Sequence, residues 1–135
     1  MITKLVWKAK EVIDKVNRRL ERNLDKVGVL LQRDIVMSFG SGGTPGSGGT
    51  KGRVHSKPGE PPYVQTGNLR RSITFQREGH SKLLVGSTLQ PEGSTPSYAW
   101  LLEMGSPGGQ LSARPYLRPA LRKNKGLIKR MLMED

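Results

Sequence analysis

The side chains that carry chemistry are few in this chain and poorly spaced for it. The two histidines, His55 and His80, both sit in Gly/Ser-rich surroundings. A serine nucleophile needs a histidine base held by an oriented acid, and no Gly-x-Ser-x-Gly elbow leads into a helix here. The carboxylates in the middle of the chain are Glu60, Glu78, Glu92 and Glu103, and no spacing singles out a set that would grip a divalent ion. The chain has no cysteine, which excludes disulfides and thiolate metal sites. Zinc held by histidine and carboxylate would need a tighter cluster. Lys51 follows a glycine-rich run, but a phosphate-binding loop requires Gly-Lys-Ser/Thr between a strand and a helix. Lys51 stands instead between Thr50 and Gly52, after a helical pattern. The expectation is a protein that is not an enzyme and takes no cofactor.

The chemistry left is that of charge. The net charge is +12 over 135 residues, and it is uneven. Residues 1–39 hold nine Lys/Arg against five Asp/Glu, and residues 113–135 hold seven against two. Such charge attracts nucleic acid, acidic protein surfaces or anionic lipid alike, so its sign does not choose a partner. No run approaches the roughly 20 apolar residues of a membrane span, and the N-terminus lacks a signal-peptide core. A soluble protein with no membrane partner is expected, one made in a reducing cytoplasm.

The elements that must present this charge follow from periodicity. By length the chain is a single domain, 1–135. From Lys4 to Phe39 apolar residues recur at Leu5, Ala9, Val12, Val16, Leu20, Leu24, Val27, Leu31 and Ile35, three or four apart, which predicts one long helix over 1–39 with a buried stripe. At 1.5 Å per residue it would run about 50 Å, more than so small a domain needs, so an overhang or contact with a neighbouring subunit is expected. Gly28 implies a bend or a close contact. Residues 40–62 hold eight glycines and four prolines and read as a flexible loop or arm that orders on contact.

Residues 63–112 read as a hairpin with short helices. Thr66 to Ser72 is a helical turn capped by Thr66 or Asn68. Strands are expected at Ile73–Glu78 and Lys82–Ser87, joined by Gly79-His80-Ser81, with His80 only a turn residue. Tyr98 to Met104 is a short helix closed by Gly105. In 113–135, Arg114-Pro115-Tyr116-Leu117 should be extended, and Pro119 suits the first turn of a C-terminal helix. Leu121, Ile128 and Leu132 share one side of that helix, with Arg118, Arg122, Lys125 and Lys129 forming a basic ridge beside them.

Taken in order, the long helix, the glycine-rich loop, Pro61-Pro62-Tyr63, Thr66-Gly67-x-Leu69-x-x-Ser72-Ile73, the hairpin, Tyr98-Ala99 with Leu102-Glu103-x-Gly105, and Ala113-Arg114-Pro115-Tyr116-Leu117-Arg118-Pro119-Ala120-Leu121 make a distinctive arrangement. It resembles the HK97 gp10-like family of tailed-phage head–tail proteins, which are tail-completion or neck components, also described as minor tail proteins. The resemblance covers nearly the whole chain. It implies an α+β subunit in which the long N-terminal helix and the C-terminal helix pack on a small antiparallel β-sheet, with a long Gly/Pro-rich loop. It also implies a homo-oligomeric ring, a hexamer, stacked in the virion between the capsid connector and the tail tube, after assembly in the host cytoplasm.

The expected partners are the chain itself and other phage head–tail proteins, namely an adaptor or connector and a tail terminator or tail tube, with DNA in the channel as a further contact. Lys51, Arg53, Arg70, Arg71, Tyr98, Glu103, Arg114 and Arg118 are the expected interface residues, with the two Pro-flanked arginines either pairing with acids of a neighbouring subunit or lying on a solvated basic face. Arg122, Lys125 and Lys129 are expected to face DNA or an acidic partner. The alternative is a small basic DNA-binding or DNA-packaging protein, although no helix-turn-helix, zinc-finger or RNA-binding signature appears.

Overall fold

The structure, a computed structural model, describes residues 8–41, 56, 58–64, 67–91, 93 and 96–134. In chain order the elements are α1 (Ala9–Ser38), β1 (Gly40–Ser41), β2 (Tyr63–Val64), α2 (Asn68–Ser72), β3 (Ile73–Glu78), β4 (Lys82–Ser87), α3 (Tyr98–Met104) and α4 (Leu117–Met133). This is an α+β arrangement with a two-stranded antiparallel sheet, β3 and β4, and a short parallel pairing of β1 with β2. Most of the expected 40–62 arm, residues 42–55 and 57, lies outside the described residues, as do residues 1–7 of the expected helix.

α1 is continuous over 30 residues, and its stripe divides in two. In the C-terminal half Leu24, Val27, Leu31 and Ile35 are buried. In the N-terminal half Val12, Ile13 and Val16 are exposed, because no other described element packs on them. This mostly exposed stretch, Ala9 to Val16, spans about 12 Å of helix, whereas Glu21 is already held by the hairpin tip. The core gathers Val27, Leu31 and Ile35 with Phe39, Ile73, Leu102, Tyr116 and Ala120. Ile35 is only 2% exposed, so truncating it to alanine would cost about 2–5 kcal/mol.

The hairpin forms over the two expected strands, with Phe75 opposite Val85 and Glu78 opposite Lys82. Its residues alternate between shielded and exposed along β3, as a half-buried strand must. A two-stranded hairpin is marginal alone, and α1 supports it. Gln32 Nε2 donates to the carbonyl of Ile73 at 2.9 Å. The ring of Phe75 lies directly on Gly28, so that a Cβ there would stand 2.6 Å from Phe75 Cγ. The close contact is thus why glycine sits inside a helix that would otherwise favour alanine by about 1 kcal/mol.

α4 runs antiparallel to α1. Phe39 meets Tyr116 edge-to-face at 5.3 Å, Asn124 Nδ2 donates to Asp34 at 2.9 Å, and Asn23 Nδ2 donates to the carbonyl of Glu134 at 2.8 Å. That last bond occupies one of the carbonyls that a helix C-terminus leaves without a partner. α4 rests mainly on α1 rather than on the sheet, which corrects the expectation that both helices lie on the strands. Two local expectations also change. Gly67, with φ of +82°, holds the N-cap position of α2 with no side-chain cap, and Asn68 is already helical. Leu117 is helical rather than extended, for the reason given next.

Candidate functional site

The two distinctive segments meet at one carboxylate. Ser97 caps α3, its Oγ accepting from the N–H of Trp100 at 3.3 Å, and Gly105 ends it with φ of +80°. A Cβ at Gly105 would lie 3.2 Å from Ala113 N and Leu111 O, so the chain returns tightly beneath α3. That return carries Arg114 N to the carbonyl of Leu102 at 2.6 Å and brings the start of α4 onto Glu103.

Glu103 Oε2 accepts from the backbone N–H of Tyr116 at 2.7 Å and of Leu117 at 3.0 Å, and Oε1 from that of Arg118 at 3.1 Å. A helix leaves its first four N–H groups without partners. Here three are taken by one side chain, and the next residue, Pro119, has no N–H to satisfy. This explains why Leu117 enters the helix. Negative charge at a helix N-terminus is further favoured by the aligned peptide dipoles. Burial pushes the Glu103 carboxyl up, but the three backbone bonds and the Arg118 side chain outweigh it and hold the group below its usual value. Tyr116 is almost fully buried, its hydroxyl donates to the carbonyl of Ala99 at 2.9 Å, and burial together with the Glu103 charge raises its ionisation well above the ordinary range.

The Pro-flanked arginines both find partners within the chain. Arg118 Nε donates to Glu103 Oε1 at 3.2 Å, and its Nη2 reaches the carbonyl of Glu103 at 3.3 Å. Arg114 Nε donates to the carbonyl of Ser56 at 3.1 Å, and the N–H of Gly59 donates to the carbonyl of Ala113 at 2.9 Å. The end of the Gly/Pro-rich segment is therefore tied to the stretch before α4. Glu103 is buried and spent on α4, so it has no surface to present to a neighbour, while half of the Arg118 side chain stays exposed.

The other expected interface residues are scattered. Arg70 and Arg71 are exposed on α2, where Arg71 Nη2 donates to Asn68 Oδ1 at 2.9 Å. Tyr98 is half exposed at the start of α3. Lys51 and Arg53 lie outside the described residues. Arg122, Lys125 and Lys129 are exposed along α4, and no acid among the described residues comes within ion-pair distance of them. A groove of about 480 Å³ lies between β4 and α4, floored by Leu24, Val27, Leu31 and Ile35 of α1, and of the basic ridge Arg118 lines it. Leu121, Ile128 and Leu132 line its α4 wall, as their shared helical face foretold.

Three features escaped the sequence reading. His80 is more than a turn residue, since its Nδ1 contacts the Glu21 carboxylate. Beside it Arg77 Nη1 donates to Asp25 at 3.0 Å, so charge fastens the hairpin tip to α1. The capping role of Glu103 was signalled only by a lone carboxylate in an apolar helix followed by a proline three residues into the next. Among the described residues no three His, Asp or Glu converge to hold a metal, and no helix is long and apolar enough to cross a membrane. Compared with family models, with curated proteins and with solved structures, the chain matches none.

Proposed function

We propose that the chain is a structural virion protein of a tailed bacteriophage, a tail-completion or neck component that forms a ring joining the capsid connector to the tail tube. The observation that carries this reading is the N-terminal part of α1, an apolar strip of Val12, Ile13 and Val16 that the other described elements leave exposed. A ring subunit needs a lateral surface of this kind, because a head-to-tail contact closes into a ring when its rotation divides the circle. The Glu103 junction supports the reading in a second way. It gives the two motifs of the resemblance a common task, setting the direction of α4 from α3, which is a scaffolding role.

The test is quantitative mass spectrometry of purified, nuclease-treated virions of the phage that encodes the chain. One ring's worth of copies per portal is the expected result, and absence from mature particles would reject the proposal. Arg122, Lys125 and Lys129, without an acid partner among the described residues, favour a second reading, a small DNA-binding or DNA-packaging protein. That reading requires duplex binding that falls steeply with salt and is lost when the three are neutralised.

A further inference from the structure

The groove between β4 and α4 combines two properties that seldom occur together on a free surface. Its floor and walls are apolar, from Leu24 and Leu31 of α1 through Val85 of β4 to Leu121, Ile128 and Leu132 of α4. On the α4 side its edge is basic: Arg118 lines it, and helical geometry sets three more cations beside that wall. Successive residues of a helix are turned by about 100°, which puts Lys125, Arg118, Lys129 and Arg122 in a strip immediately outside the Leu121–Ile128–Leu132 face. From Arg118 to Lys129 this strip runs about 16 Å. Of the four, only Arg118 has an acid partner among the described residues, the buried Glu103.

From this geometry we infer that the groove receives an amphipathic helix of a different protein, apolar on one face and flanked by Glu or Asp at three- and four-residue spacing. The charge of the occupant follows from the rim, because a desolvated lysine or arginine beside an apolar contact favours an opposite charge and penalises a like one. Its helical form follows from the walls, since α1 and α4 already run antiparallel and a third helix can lie in the valley between α4 and the hairpin, as helices do in apolar grooves.

This chain is a poor source of the occupant. The N-terminal half of α1, Lys8 to Arg22, carries six Lys/Arg against three Asp/Glu, so its net charge has the same sign as the rim. Residues 42–55 contain one large apolar side chain, Val54, and cannot fill an apolar groove. Duplex DNA would satisfy the cationic strip but would leave Leu121, 54% exposed, and the groove behind it uncovered. The inference takes from the assembly reading only the expectation of a protein neighbour; the groove and its rim stand without it.

The test is a displayed library of helical peptides with Leu, Ile, Phe or Met along one stripe and Glu, Lys or Gln randomised at the flanks, selected on the immobilised full chain. Enrichment of Glu flanks is expected, with selected peptides binding about tenfold or more tighter than their Lys-flanked counterparts. The preference should invert in the triple variant Arg122→Glu, Lys125→Glu, Lys129→Glu, and binding should vanish in Leu121→Asp, with circular dichroism confirming that both variants stay folded. Absence of enrichment, or enrichment indifferent to flank charge, would overturn the inference. So would DNA that displaces the peptides from the ridge and binds Leu121→Asp undiminished. Virion stoichiometry is a separate readout, so failure of the peptide selection leaves the neck assignment to its own test.

Discussion

The carboxylate of Glu103 and the backbone N–H of Tyr116 are 2.7 Å apart across 13 residues of sequence, and the same side chain goes on to bind the N–H groups of Leu117 and Arg118. Replacing Glu103 with alanine strands those donors where water reaches them poorly. A loss of roughly 2–4 kcal/mol is expected, read from the midpoint of urea unfolding, with a smaller loss for Glu103→Gln, which keeps an acceptor. Equal stability of Glu103→Ala and the parent would show that the cap contributes nothing.

The same junction sets a pH dependence. Glu103 titrates below its usual value when folded, whereas a glutamate in an unfolded chain titrates at about 4.3. The folded protein therefore holds fewer protons in this range. Its contribution to stability is fully present above the unfolded value and is lost as pH falls through the folded one. The stability difference between the parent and Glu103→Gln should be constant from pH 7 to about 5 and shrink below that. A difference that grew with acidification would contradict the assignment.

Gly28 makes the opposite prediction from helix propensity. In an open helix Gly→Ala stabilises by about 1 kcal/mol; here the new methyl meets the Phe75 ring. Gly28→Ala should destabilise by about 1–3 kcal/mol, and Phe75→Leu in the same chain should recover part of that loss. Thermal melts of the four members of this cycle would measure the coupling.

The hairpin tip should matter less. Arg77 and Asp25 form a partly exposed pair, and such pairs contribute roughly 0–1 kcal/mol, less at high salt. Arg77→Ala is expected to lower stability by no more than about that amount, with the difference fading in 1 M salt. A loss of several kcal/mol, independent of salt, would mean that the guanidinium is structural in some further way.

Val12 and Val16 lie outside the subunit's own core, so Val12→Asp with Val16→Asp should leave the monomer's unfolding midpoint nearly unchanged. In the ring proposed above, the same pair should abolish the oligomer seen by native mass spectrometry. An unaltered oligomer would place the lateral contact elsewhere.

The helices and the hairpin were readable because they rest on periodicity. Three-and-four spacing marks α1 from Val12 to Ile35, and alternation marks Ile73 to Glu78. The start of α4 was not readable one residue at a time. Pro115 argues for extended backbone at Arg114, and only a carboxylate from a separate helix decides that Leu117 is already helical. Asn23 and Asn124 look like surface residues in any window, and their burial depends on α1 and α4 meeting antiparallel. The basic ridge was legible as a ridge, but the groove beside it was not, since its far wall comes from β4, more than thirty residues earlier.

α4 is pinned to α1 near both ends and in the middle, through Tyr116 on Phe39, Asn124 on Asp34, and the carbonyl of Glu134 on Asn23. Three pins on one rod fix its length as well as its position. Deleting one residue between Asn124 and Leu132 would turn all that follows by about 100°, drawing Lys129 out of line and pulling the last turn away from Asn23. Descendants of this sequence are therefore free to exchange side chains on the outer face of α4, but insertions and deletions there should be purged, so that the helix keeps a constant residue count while its surface drifts.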